Sequence, residues 1–409
     1  MPANVSKPAT CQELLQAMVA CDSQNAVFAG RPHPEQQLAE YLEGLSGAWG
    51  LGTQRLATPE GDVNLLVYRA VGEEAPWLLL ESHLDTAGIE GMTVEPFAAR
   101  VDSGRIYGRG TCDTKGSGAA MLWALRHYTA DSRGGNNVAL LFSVDEEATK
   151  AGVKAFVNDH LAGLGWKPRG AIVGEPTGLR LVAAHAGVVR WTIRTHGLAA
   201  HSSDPSRGRS AISMMVRVVD AIESRYIPNL EAKHPLVGTA RCSINMIRGG
   251  TQVNMIPNLC EIWLDRRLVP GEDPQRVLPE VTRVLEELRR EAPGLAFSMS
   301  EPFIDPPLDP AGGEAFAGFL QRVLGSMGLP TDVGGATYGT DASTLSAAGI
   351  PSAVLGPGDI AQAHTSDEWL ELPQLDRAVD VYLNLMRTPL EGPCKWDSRA
   401  GEPKRDESR

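Results

Sequence analysis

The chain has 409 residues, with 38 Lys and Arg against 50 Asp and Glu and a formal net charge of −12. That length suits two domains or one large domain carrying an insertion, and the charge argues against a nucleic-acid or anionic-membrane surface, because polyphosphate binding needs a cationic face. No apolar run reaches the roughly 18 residues of a membrane helix, and Met1 to Gln24 lacks the order of a secretory signal, so a cytoplasmic protein is expected.

Gln12 to Cys21 and Pro34 to Leu45 carry helical apolar spacing. Strand-like runs follow at Val63 to Tyr68, Trp77 to Glu81, Val138 to Ser143, Ala171 to Val173 and Ala353 to Leu355. Helical patterns lie between several of them, at Gly118 to Tyr128, Gly152 to His160 and Asp341 to Ala348. Strands alternating with helices predict an α/β layer around a mostly parallel central sheet. Between Gly187 and Ser300 the pattern changes to strand (Val188 to Thr195), helix (Ser210 to Ser224), strand (Cys242 to Gly249), strand (Glu261 to Leu268), helix (Asp273 to Glu291), strand (Leu295 to Ser300). That is the βαββαβ order of a ferredoxin-like α+β sandwich. The expected organisation is therefore a first α/β part over 1–186, an inserted domain over 187–300, a second α/β part over 301–392 and a polar, mobile tail over 393–409. Cys11, Cys21, Cys112, Cys242, Cys260 and Cys394 lack paired short spacing, which fits reduced thiols better than disulfides or a cysteine zinc site.

In open α/β sheets ligands collect beyond the carboxyl ends of the strands. Five segments put donors there: His83-Leu84-Asp85, the glycine-flanked turn holding Asp113, the acidic run Asp145-Glu146-Glu147, Glu175 before Pro176, and His364 after a Gly-Pro-Gly turn. Each has an ordinary reading on its own, as a hydrogen-bonded strand end, a helix-capping acid, a solvated turn or a loop histidine. Together His83, Asp113, Glu147, Glu175 and His364 supply nitrogen and oxygen donors suited to zinc and, more loosely, cobalt or manganese. If Asp113 bridges, two ions each gain three protein donors, the arrangement of co-catalytic sites. Adjacent residues leaving a strand point in opposite directions, so of Glu146 and Glu147 one can ligate while the other takes a proton from water.

With its SHLDT, GRGTCDTKG, SVDEE, GEPT and AHSSDPSRG runs and the LGPG-to-His364 segment, the chain resembles the dinuclear zinc amidohydrolases that include acetylornithine deacetylase, succinyl-diaminopimelate desuccinylase and the glutamate carboxypeptidases. The resemblance implies a zinc-exopeptidase-like catalytic domain, two Zn2+ per subunit, and a ferredoxin-like lid that forms a homodimer. It places one metal on His83, Asp113 and Glu175 and the other on Asp113, Glu147 and His364. Asp85 then orients His83, and Glu146 serves as general base for attack of metal-activated water on the acyl carbon. His201 corresponds to the histidine that reaches the partner's site and stabilises the oxyanion. Asn254 and Arg266 are similar to positions that hold the substrate carboxylate, with a structural salt bridge as the other reading of Arg266.

GEPT, HSSDPSRG and the GTCD turn look more like acetylornithine deacetylase than like the dipeptidases. The expected activity is therefore deacetylation of a small N-acyl amino acid. A desuccinylase or glutamate-type carboxypeptidase is the alternative, and a non-catalytic metal-binding protein is the alternative of another class. The chain has His185-Ala186-Gly187 where a His-Lys-Gly is expected, which leaves the particular acyl-amino-acid substrate open.

Overall fold

The computed structural model describes residues 7–129 and 134–391. The tail 393–409 and Cys394 lie outside them. Two compact units result: the first holds the described residues up to Leu181, Gly312–Val333 and those from Ala348 onward, and the second holds Val182–Ala311 and Gly334–Ala347. Among the described residues no helix is long and apolar enough to cross a membrane.

In the first unit six strands, β1 (Gly52–Ala57), β2 (Val63–Arg69), β3 (Trp77–His83), β4 (Asn137–Ser143), β5 (Pro168–Val173) and β6 (Ser352–Val354), form a sheet in the order β1-β2-β4-β3-β5-β6. The pairs β4-β3, β3-β5 and β5-β6 are parallel. The β1-β2 and β2-β4 pairs are antiparallel, so the sheet is mixed, with its parallel part in β4, β3, β5 and β6. All seven residues of β4 are buried, as expected of a central strand covered on both faces.

Helices α1 (Cys11–Val19), α2 (Gln36–Ala48), α3 (Lys115–His127), α4 (Glu314–Ser326) and α5 (Leu372–Arg387) share one apolar core with the alternate residues Leu78 and Leu80 of β3. Fully burying each such leucine contributes roughly 1.5–3 kcal/mol. The start of α3 is built from small residues because it lies close to the sheet. A Cβ on Gly118 would meet Ser82 Oγ at 2.9 Å, and one on Gly174 would meet Ser117 Cβ at 2.6 Å. A small antiparallel sheet of Arg100–Asp102, Arg105–Tyr107 and Trp369–Glu371 pairs Tyr107 with Trp369, which brings the segments after Tyr107 and before Trp369 together.

In the second unit the antiparallel order is Arg241–Gly249, Leu259–Leu268, Gly187–His196, Phe297–Met299, with Phe303–Asp305 also pairing Gly187–His196. Helices Ala211–Ala221 and Val277–Glu291 pack on the face carrying Val189, Trp191, Ile193, Cys260, Ile262 and Leu264. This is the expected βαββαβ sandwich. Val182–His185 and Gly334–Ala336 pair in parallel.

Candidate metal centre

Beyond the carboxyl ends of β3, β4 and β5 the first unit gathers all five expected donors. His83 is the last residue of β3, and Glu175 follows β5 by two positions. Asp113 stands in the loop before α3, where Gly110 adopts φ +86° and a Cβ would meet Thr86 Cγ2 at 2.9 Å, a conformation and a spacing that favour glycine. His83 Nε2 lies 3.1 Å from Asp113 Oδ1 and 3.7 Å from Glu175 Oε1. His364 Nε2 lies 3.3 Å from Asp113 Oδ2 and 3.0 Å from Glu147. The two oxygens of Asp113 are thus divided between two triads, and within each triad the donor atoms fall within 4.8 Å of one another. His83, Asp113 and Glu175 are buried, while the His364 side chain is 56% accessible.

The electrostatics of this cluster fit divalent cations. Burial pushes the Glu147 carboxyl up to about 7, with the charge of Asp113 adding to the effect. Burial and then Asp113 likewise hold Glu175 well above its ordinary value. The carboxylates of Asp113 and Glu147 raise the His364 imidazole to about 10. For His83, burial acts to lower the imidazole, but hydrogen bonds to Asp113 and Asp85 outweigh it and hold it well above the usual value. For Asp113, burial acts to raise the carboxyl and the two histidines outweigh it, so it is lowered. Three carboxylates packed around two imidazoles thus call for positive charge, which the imidazoles supply as protons and a pair of divalent ions would supply without them.

Asp85 has a wider task than orienting one ring. His83 Nδ1 donates to the Asp85 backbone carbonyl at 2.9 Å, and the nearer carboxylate oxygen is 3.5 Å away. The Asp85 carboxylate instead accepts from the backbone N–H groups of Glu146 and Glu147, each at 3.0 Å, and from Asn25 Nδ2 at 2.9 Å. Asp145 turns the chain in the left-handed region at φ +64°. Its carboxylate accepts from Asn25 Nδ2 and from the Thr149 and Ala151 N–H groups. Glu146 belongs to neither triad. Its Oε1 lies 3.3 Å from Lys150 Nζ, and burial raises its carboxyl while Lys150 opposes the rise.

Sequence reasoning missed Asn25, Lys150 and the buried pair Arg109–Glu368. Lys150 was readable in principle as the residue four positions after Glu146. Cys112 is buried with Sγ toward the Asp359 carbonyl, and burial pushes its thiol far up, which removes it from nucleophilic chemistry.

The remaining expected residues lie in the second unit. His201 pairs with Met255 across a two-residue ladder, and the Asn254 carbonyl accepts from the Ser202 N–H at 3.0 Å, so His201 and Asn254 are neighbours. The Ser203 N–H donates to His201 Nδ1 at 3.1 Å, which leaves the ring proton on Nε2. Arg266 is buried, and its guanidinium donates to Glu272 Oε1 at 2.5 Å, to Tyr226 OH at 3.3 Å and to the Arg267 carbonyl. His185, of the departing His-Ala-Gly run, is bonded to the Ala186 carbonyl and to Thr340 Oγ1.

The family model described as peptidase family M20/M25/M40 matches residues 79–388. Acetylornithine deacetylase of Pectobacterium carotovorum subsp. carotovorum is 31% identical over 371 residues, covering 88% of this chain and 92% of that protein. The enzyme of the same name from Proteus mirabilis is 30% identical over 383 residues, covering 90% and 94%. Among solved structures, the YXEP protein of Bacillus subtilis, described as a dinuclear metal-binding peptidase from the M20 family, superposes with a TM-score of 0.69. It does so at 16% identity, covering 92% of this chain and 96% of its own. A family match that runs from within β3 to the end of α5, over the segments that deliver all five donors, makes this chain a metal-dependent hydrolase of peptidase family M20/M25/M40.

Proposed function

We propose that the chain hydrolyses the amide of a small N-acyl amino acid, as a deacetylase of the acetylornithine type. The division of the Asp113 oxygens between the two triads carries this reading, and relatives named acetylornithine deacetylase that align over 88% of the chain support the substrate class. The nitrogen and oxygen donors suit two Zn2+, with Co2+ or Mn2+ as substitutes: one on His83, Asp113 and Glu175, the other on Asp113, Glu147 and His364. Such ions, when bound, polarise the scissile carbonyl and lower the pKa of a water.

The protein's own part is proton transfer and orientation. Glu146 takes the proton of the attacking water on its carboxylate and passes it to the departing nitrogen, and Lys150 favours the charged form needed to accept it. Asp85 fixes His83 in the tautomer that turns Nε2 toward Asp113 and holds the Glu146-Glu147 turn. The Nε2–H of His201, supplied by a partner subunit, donates to the oxyanion. Asn254 beside it binds the substrate carboxylate, whereas the internal partners of Arg266 favour its salt-bridge reading. Exposed apolar residues support a homodimer through the second unit: Ile212 and Val216 on the helix Ala211–Ala221, and Met246 and Ile247 on the edge strand Arg241–Gly249.

The deciding experiment compares turnover of acetyl, succinyl and glutamyl-terminated substrates by metal-depleted and zinc-reconstituted protein. Zinc-dependent release of acetate from N-acetyl amino acids is expected. Preference for succinyl or glutamyl substrates would reassign the specificity, and zinc binding without hydrolysis of any of them would refute the enzymatic proposal.

A further inference from the structure

The Arg109–Glu368 pair is a heavily bonded buried charge system outside the two triads. The side chains are 3% and 0% accessible, and Arg109 Nη1 lies 2.7 Å from Glu368 Oε2. The other Glu368 oxygen, Oε1, accepts from the backbone N–H groups of Cys112 at 2.8 Å and of Asp113 at 3.1 Å. The Glu368 carbonyl accepts from the Gly108 N–H at 3.0 Å. Arg109 in turn donates from Nε to the Gly88 carbonyl at 3.1 Å and from Nη2 to the Thr365 carbonyl at 3.3 Å.

These bonds join three loops that meet at the metal centre, alongside backbone bonds from the Arg109 N–H to the Pro96 carbonyl at 2.8 Å and from the Thr93 N–H to the Ser366 carbonyl at 2.7 Å. Gly88 lies on the loop leaving β3, past His83 and Asp85. Cys112 and Asp113 belong to the loop before α3. Thr365 follows His364, whose backbone sits in the left-handed region at φ +60°, a conformation that a non-glycine residue holds only where its surroundings impose it. Buried ion pairs are a poor source of stability compared with apolar packing of the same volume. A pair placed here makes sense as a device that fixes positions.

We infer that Glu368 and Arg109 are positioning residues that set the Asp113 loop against the His364 loop and thereby couple the two metal positions. This rests on the dinuclear reading of the site. Glu368 holds the backbone on which both oxygens of Asp113 depend, and Arg109 holds the carbonyl beside His364. A planar guanidinium reaches Gly88, Glu368 and Thr365 together, which an ammonium cannot do. Disturbing the pair therefore weakens both metals, because the shared ligand and one terminal ligand move at once.

The test titrates zinc into metal-free wild-type, Glu368→Gln and Arg109→Lys proteins against a chromophoric chelator, with the melting temperature of each metal-free protein measured in parallel. Two zinc ions per wild-type chain are expected, and in folded variants a loss of affinity at both sites on the order of 10–100-fold. The visible spectrum of the Co2+-loaded variants should also change, since it reports ligand geometry rather than global stability. Lower melting temperatures with wild-type zinc affinities and an unchanged Co2+ spectrum would overturn the inference. If Glu368→Gln does not fold, Arg109→Lys and Glu368→Asp decide by the same criteria. A wild-type chain that binds no zinc would instead refute the dinuclear reading itself.

Discussion

Replacing Glu146 with glutamine separates catalysis from metal binding more cleanly than any other change at the site. The carboxylate belongs to neither triad, and the residue is held through its backbone N–H, which donates to Asp85 Oδ1 and survives the substitution. An amide oxygen still faces Lys150 Nζ, now 3.3 Å from Glu146 Oε1. The variant should therefore fold, melt within a few degrees of the wild type and bind two zinc ions per chain. What it loses is the proposed proton acceptor. General acid–base catalysis contributes about 10²–10⁴-fold, or about 3–5 kcal/mol of barrier, and kcat on an N-acetyl amino acid should fall by that factor with KM little changed. Glu147→Gln is the informative contrast: its Oε atoms lie 3.0 Å from His364 Nε2, so it should lose metal together with activity. The measurement is steady-state turnover paired with metal analysis of the same samples. Near-wild-type kcat in a Glu146→Gln protein that holds both ions would remove Glu146 from the mechanism.

Three further outcomes are expected. Because Asp113 serves both triads, Asp113→Ala should lose both zinc ions while His364→Ala keeps one; equal stoichiometry in the two variants, by metal analysis, would contradict the division of its oxygens. Burial, assisted by the charge of Asp85, raises the Glu35 carboxyl from 4.5 to about 8. The folded state then binds the extra proton between those values, so this group's contribution is fully favourable below about 4.5 and is lost as pH rises through about 8. Glu35→Gln should gain stability over the wild type by on the order of a few kcal/mol at pH 8 and by little at pH 5; a pH-independent difference in urea melts would refute this. Inactive His201→Ala and Glu146→Ala chains should regain activity when mixed, and no recovery after confirmed subunit exchange would rule out a site shared between subunits.

The donors that could be read from the sequence are those whose position follows from local rules. His83 and Glu175 stand at or just past the ends of apolar strands, where side-chain alternation and the carboxyl-end rule place ligands, and Asp113 stands in a glycine-rich turn before a helix. The strands Val63–Arg69, Trp77–His83 and Asn137–Ser143 were equally open to such reading, since continuous apolar runs of that length suit a covered sheet. The supporting layer was not. Asn25 reaches Asp85 from 60 residues away in sequence, and Glu368 reaches the Asp113 N–H across 255. Asparagines and glutamates in loops carry no local mark of such partners. The antiparallel edge of the sheet was also hidden, because β1 mixes exposed and half-buried positions and buries only Leu56.

The acidic run Asp145-Glu146-Glu147 shows how the expected divergence of two side chains can rest on a different cause from the one the sequence suggests. Strand alternation predicts that Glu146 and Glu147 diverge, yet β4 ends at Ser143 and Asp145 turns left-handed at φ +64°, so no extended backbone runs through them. What separates the two side chains is a buried carboxylate. Asp85 accepts the Glu146 N–H on one oxygen and the Glu147 N–H on the other, and Asp145 closes the turn onto Thr149 and Ala151. Asp85 also accepts the His83 Nδ1 proton on its backbone carbonyl. One residue thus sets the ring that faces Asp113 and the turn that sends Glu147 toward His364 and leaves Glu146 beside Lys150, which ties the position of the proposed proton acceptor to that of the proposed metal ligands.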